Sequence, residues 1–136
     1  MKRIVINGQH GGFGLSDIAV ARYTFLKNLK LYPEKGEYST DWYTVPKNER
    51  VEDIDWNSAT HEERIEYNTR ADKEYFTDRD IPRDDPVLVR VVEELGPAAC
   101  GNYANLRIVY IPDDVKWCIE EYEGLEWVAE EHRTWS

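Results

Sequence analysis

The residues with the clearest potential for chemistry lie near the start of the chain, in the segment NGQHGGFGLS at positions 7–16. Glycines let several backbone amides turn toward one point, and a helix that begins after this segment adds unpaired N–H groups and a favourable dipole. The segment lacks the GK[ST] ending of a Walker A loop and the G-x-G-x-x-G spacing of a dinucleotide-binding loop. The alternative is a tight strand–helix connection whose glycines only permit positive φ. The functional interpretation is an anion or phosphate site formed by Gly11, Gly12, Phe13, Gly14 and Ser16.

The three histidines, His10, His61 and His132, are a weaker indication of chemistry. His10 and His132 lie near predicted strand ends and would converge if the first and last strands are neighbours. A small hydrolase or transferase that uses these two residues is therefore one alternative. The chain has no HExxH, no GxSxG and no Cys/His cluster, so we expect no catalytic residues, no metal and no cofactor.

The C-terminal HRTW is unusual, because chain ends are normally frayed and polar. Trp135 suggests that this end docks onto the domain or onto a second copy, so a homo-oligomer is one candidate assembly. Arg133 would then be a cation that meets a ligand phosphate if the glycine loop is close. His132 and Arg133 thus complete the predicted ligand site.

The elements that must position these residues begin with a strand at 2–7 and a helix at about 17–29, capped by Ser16. A helix at 61–75 has a Thr60/Glu63 capping box, and Asp84 or Asp85 caps a helix at 86–95. A strand at 106–111 and a hairpin of 115–122 and 125–132 follow. The residues expected to be buried in the first helix and in the hairpin are Ile18, Ala21, Phe25 and Leu29, and Trp117, Ile119 and Trp127. The hairpin glutamates should face water.

This order of elements predicts an α+β fold, with a small, mostly antiparallel sheet of about four strands and two or three helices on one face. The length of 136 residues fits a single domain, 1–136, with an irregular acidic excursion at about 32–60. That excursion contains five tyrosines and tryptophans, which a disordered segment rarely carries.

Charge is distributed unevenly around a net value of −10. Residues 1–31 carry five Lys/Arg against one acid, whereas residues 32–86 carry eight against sixteen and residues 113–136 two against eight. Such a surface repels a nucleic-acid backbone, so we expect no direct nucleic-acid binding. It would attract a basic protein, unless the acids serve only to keep a small protein soluble.

Cys100 and Cys118 have no CxxC spacing, and two reduced thiols are the simpler interpretation. No apolar run approaches the roughly 20 residues that span a bilayer, and the N-terminus is too polar for a signal peptide, so we expect no membrane partner and a cytoplasmic location.

Three blocks carry a resemblance to a known family: IVIN…GGFGLS, RDDPVLVRVVEELG and IPDDVKWCIEEYEGLEWVAEEHRTW. The chain resembles a family of small uncharacterised bacteriophage and prophage proteins over about half its length, and departs from the family pattern at Gly8-Gln9-His10. The family has no established activity, so the resemblance supplies no catalytic residues. It implies a phage protein that acts in the host cytoplasm, where many such proteins disable host defences by binding. We therefore expect a stoichiometric anti-defence protein that sequesters a nucleotide-type immune signal, or an acidic inhibitor of a host nucleic-acid-binding effector, as in anti-CRISPR proteins.

Overall fold

The computed structural model describes residues 1–131 and has an α+β fold, as predicted. The strands form three small antiparallel sheets, of two, three and two strands. The described residues fall into two compact units, of which the first combines residues 1–28 and 78–131 and the second is Leu29–Thr77. The prediction of a single domain stays a prediction. The elements are β1 (Lys2–Asn7), α1 (Asp17–Lys27), β2 (Tyr32–Lys35), β3 (Thr40–Tyr43), α2 (His61–Glu74), β4 (Tyr75–Phe76), α3 (Pro86–Leu95), β5 (Leu106–Ile111), β6 (Trp117–Tyr122) and β7 (Leu125–Glu130).

The core of the first unit lies between β1 and α3. β1 pairs with β5 from Lys2 opposite Ile111 to Asn7 opposite Leu106. Ile4 and Val5 of β1 and the α3 side chains Leu88 and Val91 have no exposed surface. The predicted helix at 86–95 is confirmed, with Asp85 as its cap and Pro86 at its first turn, where proline costs no hydrogen bond.

Helix α1 buries a different face from the one predicted. Its buried residues are Ala19, Val20, Tyr23 and Thr24, whereas Ile18 and Phe25 are 63% and 73% exposed, Ala21 is exposed and Leu29 lies beyond the helix end. Both faces are apolar, so periodicity could not choose between them. Hydrogen bonds from the cap residue and from the middle of the helix accompany the observed orientation. The Ser16 amide donates to the Ala99 carbonyl, and the Tyr23 hydroxyl donates to Asp85.

The hairpin β6–β7 forms around Glu123 and Gly124, which both have positive φ, as the predicted turn requires. Its register places Glu120 opposite Trp127 and Glu121 opposite Glu126. Successive strand residues point to opposite faces, so Trp127 lies on the face opposite Trp117 and Ile119. The predictions that Trp127 is buried and that all the glutamates face water are therefore wrong. Trp127 is 42% exposed and Glu126 only 9% exposed.

The second unit contains two strands where the sequence predicted an irregular excursion. β2 and β3 pair with Tyr32 opposite Tyr43, and β4 adds a third strand. Pro33 fits because β2 is an edge strand. The predicted helix at 61–75 is confirmed, and the Thr60 hydroxyl accepts a hydrogen bond from the Glu63 amide. Among residues 1–131, none of the helices has the length and apolar character needed to cross a bilayer.

Candidate functional site

The glycine loop starts from a fully buried asparagine, Asn7. Its side-chain nitrogen donates to the carbonyls of Gln9 at 2.6 Å and Gly124 at 2.7 Å, and its side-chain oxygen accepts from the Asn105 amide at 2.8 Å. Every polar atom of this side chain therefore bonds to backbone, which is what a buried amide requires. Asn7 ties the loop to the β6–β7 turn and to the segment before β5.

The loop amides that were predicted to bind an anion are in part bonded to protein groups. The Gly11 amide donates to the Glu123 carbonyl at 3.1 Å, and the Leu15 amide donates to the Asp78 carboxylate at 2.8 Å. The Ser16 amide donates to the Ala99 carbonyl at 2.9 Å, while the Ser16 hydroxyl accepts from the Ala19 amide at 3.2 Å. Ligand binding at the loop stays a prediction, but a carboxylate of the protein already occupies one of its donors.

Two glycines bring the loop and the hairpin turn into backbone contact. Gly12 and Gly124 have φ values of 104° and 87°, in the region that side chains disfavour. A Cβ on Gly124 would collide with the Gly12 amide nitrogen. By contrast, Gly14 has no positive φ, and an added Cβ there would meet nothing within 4 Å. The glycines at 12 and 124 therefore serve the connection between loop and turn.

Phe13 of the predicted site is buried and supports an arginine. The Arg83 guanidinium lies 3.6 Å from the centre of the Phe13 ring. Its two terminal nitrogens donate to the Glu126 oxygens at 2.6 Å and 2.9 Å. Glu126 also accepts a hydrogen bond from the backbone amide of Asn7 at 2.8 Å. This arrangement joins β1, the loop and β7 through one partly buried ion pair. This ion pair was not predictable from the sequence, because the partners are 43 residues apart and arginine and glutamate are usually surface residues.

The histidines do not form a catalytic group in the described part of the chain. His10 is exposed, and its ring packs edge-on against Tyr122 with 6.2 Å between ring centres. His132 and Arg133 lie outside the described residues, so their predicted convergence with His10 stays a prediction. Within residues 1–131, no group of three or more His, Cys, Asp or Glu side chains could hold a metal ion. Cys100 and Cys118 are free thiols.

Asp85 of the first unit, like Glu126, has three donor atoms as partners. It accepts hydrogen bonds from the Tyr23 hydroxyl at 2.8 Å and the Val87 amide at 2.8 Å, and Lys27 lies 3.0 Å away. Burial by itself raises the pKa of Asp85, but these three donors together lower it below its usual value. Burial and the hydrogen bond to Asp85 raise the pKa of Tyr23. This cluster holds α1 and the start of α3 together, and its groups face one another rather than an open site.

An exposed aromatic surface near the loop is one face of the hairpin, which we call the outer hairpin face. Trp127 and Tyr122 are 42% and 64% exposed, and the Trp127 indole N–H donates to Glu120 at 3.1 Å. Residues 113–131 carry one lysine against eight acids, so this face is surrounded by negative charge. Alternation along the two strands assigns six residues to it: Cys118, Glu120, Tyr122, Leu125, Trp127 and Ala129.

The second unit contains a shallow cavity of 710 Å³, lined by residues 48–52 and Arg70. Its two arginines are committed to protein groups: Arg50 stacks 3.4 Å from the centre of the Tyr43 ring and pairs with Glu34, and Arg70 pairs with Glu74. The cavity therefore lacks a spare cation for an anionic ligand among the side chains that line it in the described structure.

No family model, no curated protein and no solved structure matches this chain.

Proposed function

We propose that this protein acts without turnover, as a stoichiometric binder that docks a basic protein on the outer hairpin face. The observation that carries the proposal is the exposure of Trp127 and Tyr122 beside Glu120. Tryptophan and tyrosine dominate the binding energy of many interfaces, because they bury a large area at a low entropic cost. The surrounding glutamates would attract a basic partner and exclude acidic ones.

The support beneath the hairpin favours binding as well. Glu126 is fixed from three sides, by two nitrogens of Arg83 and by the Asn7 amide. A surface that is held in one conformation before binding loses less entropy when the complex forms. The hairpin therefore has the preorganisation that a binding surface needs, and the glycine loop contributes to it through the Gly11 amide, which donates to the Glu123 carbonyl.

The resemblance to small phage proteins supports a host protein as the partner, in the host cytoplasm and in an anti-defence role. A nucleic-acid-binding effector has the basic groove that an acidic surface fits. The nucleotide-sequestering alternative has weaker support, because the amides of Gly11, Leu15 and Ser16 already have acceptors. We therefore rank the protein inhibitor above it, and direct nucleic-acid binding below both.

Native mass spectrometry of the tagged protein, purified from bacteria that express their defence systems, tests this proposal. The expected result is a complex of fixed stoichiometry with one host protein, lost in Trp127→Ser and retained in Trp56→Ser. Trp56 is a matched control, because it is 44% exposed but lies in the second unit. A retained nucleotide, or a protein complex that survives Trp127→Ser, would contradict the proposal.

A further inference from the structure

Helix α1 exposes an apolar stripe that residues 1–131 leave largely uncovered, although the Arg22 guanidinium lies 5.5 Å from the centre of the Phe25 ring. The stripe consists of Ile18, Ala21 and Phe25, spaced three and four residues apart on one side of the helix. Ile18 is 63% exposed and Phe25 is 73% exposed, although the opposite side of the helix already supplies the core with Val20 and Tyr23. A helix that is apolar on both sides is normally covered on both sides.

The charges around this stripe are neutralised locally. Arg22 pairs with Glu94 at 3.1 Å, and Lys27 pairs with Asp85 at 3.0 Å. Elsewhere the protein is strongly acidic, so two copies repel one another over most of their surfaces. The α1 stripe is thus a surface on which two copies can approach without opposing unpaired charges of like sign.

The spacing of the stripe is self-complementary. If two α1 helices pack antiparallel, Ile18 of each copy lies beside Phe25 of the other, and the small Ala21 lies at the centre, where the helices approach most closely. The same arrangement sets the N-terminal turn of each helix beside the C-terminal turn of the other, so opposed helix dipoles meet at both ends.

We propose that a second copy of this chain covers the α1 stripe, in a two-fold symmetric antiparallel dimer. A two-fold axis between positions 21 and 22 pairs the same patch on both copies, as the interface of a symmetric homodimer requires. A stable interface buries about 1,600 Å² in total, and one helix face supplies only part of that area, so we expect a weak dimer that dissociates on dilution. The dimer does not depend on the outer hairpin face, so either proposal can fail without the other.

Sedimentation equilibrium over a range of concentrations tests the dimer. The 16.0 kDa chain should approach twice its mass at about 100 µM and return to the monomer on dilution. Added salt should strengthen the association, because it screens the repulsion between two acidic copies. Phe25→Ser should weaken it by at least about tenfold, whereas Ile65→Ser should leave it unchanged. Ile65 is the matched control, since it is a helical side chain with 52% exposure in the second unit.

A cysteine variant tests the geometry. Under mild oxidation Ala21→Cys should form a disulfide-linked dimer, because only residues at the axis bring their Cα atoms within about 7 Å. Ile65→Cys should not. A wild-type chain that stays monomeric at about 500 µM would overturn the proposal. So would a dimer that survives Phe25→Ser, or equal cross-linking through positions 21 and 65.

Discussion

Arg83 and Glu126 form a two-point ion pair, with nitrogen–oxygen distances of 2.6 Å and 2.9 Å, although 43 residues separate them in the chain. The Arg83 guanidinium also stacks on the Phe13 ring, and Glu126 accepts a hydrogen bond from the backbone amide of Asn7. One side-chain pair therefore joins the first strand, the glycine loop and the last hairpin. The orientation of the outer hairpin face depends on this joint.

We predict that Glu126→Gln destabilises the protein by about 3 kcal/mol, because it leaves the guanidinium of Arg83 partly buried without its charge partner. The carboxylate and the guanidinium side chains are only 8% and 16% exposed, so solvent screens the pair weakly. Urea unfolding measures the change. Glu121→Gln is the matched control, since Glu121 lies directly opposite Glu126 but is exposed, and we expect less than about 0.5 kcal/mol there. Equal effects of the two substitutions would argue against a structural role for the ion pair.

Gly124→Ala should cost at least about 2 kcal/mol, because the added Cβ meets the Gly12 amide and the residue has positive φ. Gly14→Ala should change the free energy of unfolding by less than about 0.5 kcal/mol, since that position has space and ordinary backbone angles. Thermal and urea unfolding of both variants provide the comparison. A larger loss of unfolding free energy in Gly14→Ala than in Gly124→Ala would contradict the close backbone contact between the loop and the turn.

The stability of the fold should decline on acidification in a way that depends on Asp85. Its pKa is lowered in the fold, so the stability it provides is present above the usual carboxyl value of 3.8 and is lost as the pH falls through the lower folded value. Asp85→Asn should therefore be less stable than the wild type at pH 7, and its stability should fall less steeply in acid. Asp84 is the exposed neighbour, so Asp84→Asn should show the same pH dependence as the wild type. Urea titrations at a series of acidic pH values decide the matter. If the free energy of unfolding of Asp85→Asn falls as steeply in acid as that of the wild type, another carboxylate controls the acid dependence.

Sequence alone predicted the elements whose signals are local. Ser16 and Thr60 were identifiable as helix caps, and Asp85 as one of two candidates beside Asp84, because a cap bonds within its own first turn. The turn at 123–124 was identifiable because its positive φ favours glycine. The burial of Glu126 was not predictable, since it depends on an arginine from a distant segment.

Two further differences have local causes that the pattern could not resolve. Helix α1 is apolar on both sides, so the wrong side was assigned to the core. β2 was missed because Pro33 and its charged neighbours match an edge strand only once the partner strand is known. In the candidate site, the glycine loop was found but the acceptors of its amides were not, because Asp78, Ala99 and Glu123 come from three distant segments.

Isothermal titration of the host protein captured by this chain tests the central claim, that the outer hairpin face binds a basic partner without turnover. We predict a fixed stoichiometry and an affinity that falls as salt rises from about 50 to 200 mM, because charge attraction contributes to it. Trp127→Ser and Glu120→Lys should each weaken binding by about tenfold or more, while Gly14→Ala leaves it unchanged. Binding that ignores salt and survives both hairpin substitutions would contradict the account.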